Sequence, residues 1–66
     1  MDVRQLRYFL VTAQLEHVTH AARKLSIAQP ALSQSLHRLE AELGVKLFAR
    51  EGRNLRLTKE GAYLKD

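Results

Sequence analysis

The sequence THAARKLSIAQPALSQSLHRLEAELG, residues 19–44, decides the fold. It opens with a short apolar group, Ala21, Ala22 and Leu25, and continues into a longer segment with one regular apolar row. The row consists of leucines spaced four, three and four residues apart: Leu32, Leu36, Leu39 and Leu43. At about 100° per residue, these leucines lie on one stripe of an α-helix. The stretch therefore predicts a short helix, a tight connection and a longer helix.

The face of the longer helix opposite the leucines is polar near its N-terminal end. It carries Pro30, Gln34, His37, Arg38 and Ala41, with Gln29, Ser33 and Glu40 on one shoulder. The alanines of the short helix allow two helix axes to approach closely, so the leucine row can anchor the longer helix. This arrangement is typical of a helix-turn-helix, whose second helix enters the DNA major groove with its N-terminal residues at the base edges.

Single residues set the limits of these two helices. Pro30 suits the first turn of the longer helix, where its missing N–H costs nothing and its fixed φ is helical. Gly44 is a natural left-handed residue at the C-terminal end. Thr19 is the expected N-cap of the short helix, because a side-chain oxygen there can accept from an early backbone N–H. We predict helices over residues 19–26 and 29–43.

The segment before this stretch predicts a first helix over residues 2–16. Asp2 is a plausible N-cap, and its charge suits a helix N-terminus. A less polar flank, formed by Tyr8, Val11 and Leu15, either packs on a helix outside this sequence or is half-buried. The main apolar face repeats at helical spacing, at Val3, Leu6, Phe9, Leu10 and Ala13.

The helical pattern ends before residues 46–57, and this segment predicts a small β-hairpin. A turn signal, Glu-Gly-Arg-Asn, occupies residues 51–54, and the residues after it alternate as a strand does. A basic hairpin beside a helix-turn-helix is a wing, and we assign Arg50 and Arg53 to phosphates or to the minor groove. Solvated charge is the simpler interpretation, and we prefer it for two further cations of this region, Arg56 and Lys59.

The final residues predict a fourth helix that starts near residue 58. Thr58 is its expected N-cap, and the helix reaches Asp66 without any C-terminal signal. We therefore expect residues 1–57 to form the folded domain. Residues 58–66 are expected to be the start of a longer helix in which the chain is truncated.

The composition limits the remaining possibilities. Sixty-six residues make one small domain of marginal stability, and without cysteine there can be no disulfide or thiolate metal site. The formal net charge of +4 favours a polyanionic partner, although solubility alone would also explain it. The apolar runs are too short to cross a membrane and the N-terminus is not a signal peptide, so we expect a cytoplasmic location.

Catalysis and metal binding find little support in the sequence. His17 and His20 are three residues apart, but a zinc site needs further ligands that the sequence does not supply. They are more simply two surface histidines at a helix start, although a protonated His20 could approach a phosphate. No Gly-rich phosphate loop or nucleophile–base constellation is present, so we predict a non-enzyme without a cofactor.

A protein-interaction module is the other alternative. The leucine row, or the flank on the first helix, could bind a partner helix. The row is better explained as the protein's own core. Salt would separate the two functions, because duplex affinity falls steeply with salt and binding in an apolar groove does not.

A long pattern of fixed spacing connects these segments. It reads Ala22-x-x-Leu25-x-x-x-Gln29-Pro30-Ala31-Leu32-Ser33-x-x-Leu36-x-x-Leu39-Glu40-x-x-Leu43-Gly44-x-x-Leu47-Phe48-x-Arg50. Two flanking patterns extend it: Leu6-x-x-Phe9 and Leu57-Thr58-x-x-Gly61. Over nearly the whole chain, the sequence resembles the N-terminal DNA-binding domain of LysR-type transcriptional regulators.

The resemblance implies a fold, a function and a set of partners. The fold is a mainly α winged helix-turn-helix: a three-helix core, a small hairpin wing and the start of a linker helix. The function is sequence-specific binding of double-stranded DNA, with the second helix of the motif in the major groove. In the family, the linker helix joins subunits into a homodimer or tetramer, and a small-molecule effector binds a following domain that this sequence lacks. We expect the 66-residue chain alone to be a monomer or a weak dimer.

The resemblance also carries individual positions. Gln29, Pro30 and Ser33 match the family's groove-reading residues directly. Position 34 is often arginine in the family and is glutamine here, and position 28 is often serine and is Ala28 here. Position 60, commonly alanine, is Glu60 here. The predicted DNA-binding residues are Gln29, Pro30, Ser33, Gln34, Arg38, Arg50 and Arg53.

The two glutamines and Ala28 lead to specific expectations. The amides of Gln29 and Gln34 match the donor and acceptor of adenine in the major groove, and we predict that Gln34 shifts preference from guanine toward adenine. The alternative is that Gln34 only touches a phosphate. Without the usual cap hydroxyl at Ala28, either Ser26 or Gln29 caps the recognition helix, or its first N–H groups face water or a DNA phosphate.

Overall fold

The computed structural model describes residues 1–52 and 54–66, which form helices and one two-stranded antiparallel sheet. The predicted mainly α winged helix-turn-helix is confirmed, with boundaries within a few residues of those expected. Arg53, which the sequence assigns to DNA contact, lies outside the described residues. The elements in chain order are α1 (Val3–Leu15), α2 (Val18–Leu25), α3 (Gln29–Leu43), β1 (Phe48–Glu51), β2 (Asn54–Leu57) and α4 (Lys59–Lys65).

The core lies where the first three helices meet. Leu32 and Leu39 of α3 are fully buried there and Leu36 nearly so, so the predicted row anchors α3 through these three leucines. Leu43, the last residue of α3, does not join them, since it is 40% exposed. The ring of Phe9 lies 5.5 Å from the ring of Phe48, which connects the hairpin to the same core.

Helix α1 packs on a face rotated from the predicted one. Val3 and Leu10, both expected in the core, are exposed, and Thr12 is buried in their place. Burial of this hydroxyl costs little because the Thr12 Oγ1 donates to the Tyr8 carbonyl at 2.7 Å. Tyr8 packs half-buried against the core, as does Val11 of the same flank.

Two of the predicted N-caps are confirmed and one is wrong. Asp2 and Gln5 form a reciprocal capping box at the start of α1, and Thr58 accepts from the N–H of Gly61 at the start of α4. Thr19 does not cap α2, which begins earlier, at Val18. The Nδ1 of His17 instead accepts from the N–H of His20 at 3.3 Å.

The connection between α2 and α3 turns without glycine. Ser26 adopts a left-handed conformation with φ of 59°, and the N–H of Ile27 returns to the carbonyl of Ala22 at 3.0 Å. Ile27 is half-buried against the core, as an apolar plug between the two helices would be. The short turn therefore holds α2 and α3 in the fixed relation that a helix-turn-helix needs.

Among the described residues, hydrogen bonds join the wing to the helices in two places. The first is Glu40, which the sequence placed on the outward shoulder of α3 but which is 8% exposed. Its Oε2 accepts from the N–H groups of Leu47 and Phe48, at 2.7 and 3.3 Å, so a buried carboxylate satisfies the donors leading into β1. At the second point, the N–H of Leu55 donates to the carbonyl of Glu16 at 2.9 Å.

Helix α4 starts in close contact with the segment before the wing. The Thr58 hydroxyl donates to the Lys46 carbonyl at 2.5 Å, and the Thr58 N–H donates to the Leu47 carbonyl at 3.0 Å. A Cβ on Gly61 would lie 2.2 Å from the Leu47 oxygen, so only glycine fits. Nowhere in residues 1–52 and 54–66 is there a helix long and apolar enough to cross a bilayer.

Candidate nucleic-acid interface

The outward face of α3 presents the polar residues that the sequence selected. Gln29, Pro30, Gln34 and Arg38 are exposed, and Ser33 is half-buried. The buried leucines on the opposite side hold the helix against the core, so its polar face projects from a rigid support. Five of the seven predicted site residues therefore share one helix, at the positions expected from helical periodicity.

The N-terminal end of α3 has no side-chain cap. Ala28 occupies the N-cap position and no side chain bonds to the first turn, so neither Ser26 nor Gln29 replaces the missing hydroxyl. Pro30 lies in that turn and supplies no donor. The other early N–H groups remain available, and they point along the positive end of the helix dipole. Such an end can bind a phosphate or another anion.

The alternation of the wing places its two described arginines on opposite faces. Arg50 pairs with Leu55 in the hairpin register, and Leu55 is buried, so Arg50 lies on the face of the sheet that turns toward α3. Arg56 pairs with Ala49 on the other face. There its Nε lies 3.4 Å from the carboxylate of Glu51, a diagonal neighbour. The sequence-based choice of Arg50 over Arg56 is consistent with this geometry.

Two clefts flank the outward face of α3. The wing cleft separates α3 from the hairpin, and its polar lining includes Ser33, His37, Lys46 and Arg50. The α1 cleft lies on the other side and is lined by side chains of α1 and α3, among them Arg4, Tyr8, Gln34 and Arg38. Both sides of the reading face therefore carry cations, and Arg4 and Lys46 are contributors that the sequence reasoning did not select.

A third cleft lies where the N-terminal ends of α2 and α3 meet the wing. Gln29 and Arg50 line it together with His17, Thr19 and His20. The two imidazole rings stack with centroids 4.0 Å apart. The Thr19 hydroxyl donates to the Oε1 of Gln29 at 3.0 Å. No sequence pattern indicates this contact, because the two residues lie ten positions apart on different helices.

Acidic groups also lie near α3. The carboxylate of Glu40 is buried under the wing, whereas Asp2 and Glu42 line the α1 cleft. Hydrogen bonds from the N-terminal ammonium group and from Gln5 hold the pKa of Glu42 below its usual value. Among the described residues, no group of three or more carboxylate and imidazole side chains is placed to hold a metal ion. The site is therefore a polar surface that carries cations on both sides and two carboxylates in the α1 cleft.

Residues 3–62 match the family described as bacterial regulatory helix-turn-helix protein, lysR family. Among its relatives is the HTH-type transcriptional regulator BsdA of Bacillus subtilis (strain 168), which is 56% identical over 63 residues. The regulator YybE of the same strain, described as uncharacterized, is 54% identical over 61 residues. The chain is covered to 94% and 92% in these matches, but it spans only 22% and 21% of the two relatives.

Solved structures with the same fold include complexes with DNA. The chain matches the CbnR DNA-binding domain–DNA complex with a TM-score of 0.94 and 37% identity, covering 98% of this chain and 75% of that one. It matches the BenM DNA-binding domain in complex with benA site 1 DNA with a TM-score of 0.93 and 43% identity, covering 98% and 76%. BenM is a transcriptional regulator of Acinetobacter baylyi. These two neighbours combine the fold described above with a bound duplex.

Proposed function

Because the chain belongs to the lysR family of bacterial regulatory helix-turn-helix proteins, we propose that it is the DNA-binding domain of a longer transcriptional regulator. The observation that carries this proposal is the match, over 98% of the chain, to DNA-binding domains solved on DNA. We propose a binding role without catalysis or a cofactor, since the relatives are named as transcriptional regulators. Such a protein acts where bacterial DNA is, in the cytoplasm.

In the proposed complex, α3 lies in the major groove of double-stranded DNA. A helix with its side chains is about 10–12 Å across and the groove is about 12 Å wide, so one helix fits. Entry with the N-terminal end first would bring Gln29, Pro30, Ser33 and Gln34 to the base edges. The absence of a side-chain cap on α3 supports this orientation, because the early N–H groups are left to contact a phosphate.

Arginines would hold the duplex on both sides of α3. Arg38 lies on the outward face next to the α1 cleft, and Arg50 lies in the wing cleft. Arg53 belongs to the turn signal at residues 51–54 of the sequence, and we keep it as a phosphate or minor-groove contact. Phosphate contacts from both flanks would fix the position of the helix while carrying no sequence information themselves.

We further propose that α4 begins a linker helix and that residues 1–57 and 58–66 are separate functional parts. The chain spans about a fifth of its curated relatives, so the longer regulator has room for a domain that binds a small-molecule effector. Pairing of linker helices into a homodimer or tetramer would place two copies of α3 on half-sites about 34 Å apart, or a multiple of that distance. Simultaneous contact would raise affinity through effective concentration.

The test is duplex affinity measured across salt concentrations. Fluorescence anisotropy with duplexes selected from a random pool should show an affinity that falls linearly with salt on logarithmic axes, with a slope of about −0.9 per neutralised phosphate. A selected duplex should also compete better than an unrelated one. Affinity that does not change with salt, or no preference among sequences, would contradict sequence-specific DNA binding.

A further inference from the structure

Thr19 and Gln29 form a polar contact between the two helices of the motif. The Thr19 Oγ1 lies 3.0 Å from the Oε1 of Gln29. An amide oxygen carries no hydrogen, so the hydroxyl is the donor in this bond. Thr19 is half-buried in the first turn of α2, and Gln29 is the exposed first residue of α3. A residue of the supporting helix thus contacts the residue that begins the reading helix.

The Thr19 hydroxyl is available for this bond because another side chain caps α2. His17 accepts from the N–H of His20, which leaves Thr19 inside the helix instead of at its N-cap. A β-branched side chain inside a helix has few χ1 rotamers, so the position of its hydroxyl is well defined. Glutamine is the opposite case: its long side chain loses conformational entropy whenever it is held in one place. The well-defined Thr19 hydroxyl therefore holds the flexible Gln29 side chain in one orientation.

The contact also fixes which end of the amide can face DNA. With Oε1 turned toward Thr19, the Nε2 amino group is the other end, and no described residue accepts from it. An amino group is only a donor. In the major groove it fits the base acceptors, which are O6 and N7 of guanine, N7 of adenine and O4 of thymine. Guanine offers two of these acceptors and cytosine offers none, and the bidentate contact with adenine cannot form because its N6 amino group needs an acceptor.

We propose that Thr19 is a positioning residue that makes Gln29 a hydrogen-bond donor toward DNA, so that it favours guanine, which offers two acceptors, over cytosine, which offers none, and gives up the bidentate contact with adenine. The proposal rests on the proposed function, since it assigns a specificity to the same reading helix. It departs from the adenine contact that the free donor–acceptor pair of an amide predicts for Gln29. Without the hydroxyl, the amide could rotate and accept from an amino base, so this discrimination would be lost.

The test compares binding matrices for three proteins: wild type, Thr19→Val and Thr19→Ser. Valine keeps the shape and β-branching of threonine but removes the hydroxyl, whereas serine keeps the hydroxyl. Each protein is measured against all four base pairs at every position of a selected duplex. A fourth variant, Gln29→Ala, identifies the position that Gln29 reads.

At that position the wild type and Thr19→Ser should prefer guanine, bind cytosine least and show no preference for adenine over guanine. In Thr19→Val the preference for guanine over cytosine should fall between about twofold and tenfold, the range expected for one neutral hydrogen bond, while preferences elsewhere stay unchanged. An unchanged preference in Thr19→Val would overturn the proposal. So would an equal loss of affinity for every sequence, which a merely structural role would produce, or a wild-type preference for adenine or cytosine.

A measurement without DNA separates this inference from the proposed function. NMR relaxation of the Gln29 side-chain NH2 group should show restricted motion in the wild type and Thr19→Ser, and greater motion in Thr19→Val. Equal mobility in all three would overturn the positioning role even if DNA binds. A wild type with a restricted amide that shows no sequence preference for any duplex would instead overturn the proposed function, and with it the reading role of Gln29.

Discussion

Gln34 lies at the centre of the outward face of α3, about one turn beyond Gln29, and is exposed. Unlike Gln29, its amide makes no hydrogen bond with the described residues, so both its donor and its acceptor can face a base. That pair matches N6 and N7 of adenine, whereas an arginine at this position would pair with O6 and N7 of guanine. We therefore predict that Gln34→Ala loses a preference for adenine at one base pair, and that Gln34→Arg gains a preference for guanine there.

The measurement for Gln34 is a binding matrix of the three proteins against all four base pairs at each position. The discrimination should be about 1–3 kcal/mol for a bidentate contact. If Gln34→Ala weakens binding equally for every sequence, the amide only touches a phosphate and reads nothing.

Arg50 and Arg56 offer a matched pair on the wing. Arg50 lies on the face of the hairpin that turns toward α3, while Arg56 is on the other face beside Glu51. Arg50→Ala should weaken binding to all sequences alike and reduce the salt slope by about one, as expected for one lost phosphate contact. Arg56→Ala is the control and should leave the slope unchanged. Equal effects of the two substitutions in salt titrations of duplex affinity would show that the wing acts only through total charge.

For individual residues, the sequence predicted positions within a helix better than contacts between elements. Helical periodicity alone put Gln34 and Arg38 on the outward face of α3, with Gln29 and Ser33 on one shoulder. It could not show that Thr19 holds Gln29 or that Glu40 is buried, because both depend on partners from other elements. A carboxylate at the edge of a polar helix face looks solvated until the segment that covers it is known.

The leucine row on α3 is the main attachment of the reading helix to the rest of the chain. Leu36 is 5% exposed and Leu43 is 40% exposed, although both belong to the same row. Leu36→Ala should therefore lower the free energy of unfolding by about 2–5 kcal/mol, through lost burial and the cavity left behind. Leu43→Ala is the control and should cost less than about 1 kcal/mol, since a side chain that is already partly hydrated loses less. Urea denaturation measures both, and similar costs would show that the exposed end of the row also carries the packing.

The attachment of the wing depends on Glu40, just as the attachment of α3 depends on its leucines. Its Oε2 accepts from the N–H groups of Leu47 and Phe48. Glu40→Ala would leave these donors unsatisfied, and an unpaired buried group typically costs about 1–3 kcal/mol. We expect a loss of this size in denaturation, together with faster hydrogen exchange of these two amides. Glu40→Gln, which keeps one oxygen acceptor, should lose less. Faster exchange spread evenly over the chain would contradict a local role in holding the wing.

The elements themselves were largely predictable because several local signals agreed. Proline in the first turn and glycine at the end set α3, and an aspartate at the N-cap set the start of α1. The start of α2 was missed because a histidine took the capping role usually given to threonine or serine. The rotated face of α1 was missed because Thr12 bonds to its own helix and can be buried like an apolar residue.

The whole molecule places its polar and apolar surfaces in different regions. The uncapped end of α3, the start of α2 and one face of the wing surround a polar and basic surface. An apolar surface lies where α3 ends and α4 begins, and it includes Leu43, Val45, Tyr63 and Leu64. The sequence predicted this overall layout because local propensity, apolar pattern and turn residues all favoured one fold. The relative placement of side chains from different elements required the structure.

Backbone amide shifts during titration with a selected duplex test the proposed interface most directly. If α3 enters the major groove, the largest shifts should fall on the N-terminal turn of α3, the start of α2 and the wing near Arg50. The amides of Leu10 and Tyr63 should change little, and added salt should reverse the shifts. Shifts centred on Leu43 and Tyr63 that persist at high salt would contradict it, because they would indicate binding through the apolar surface instead.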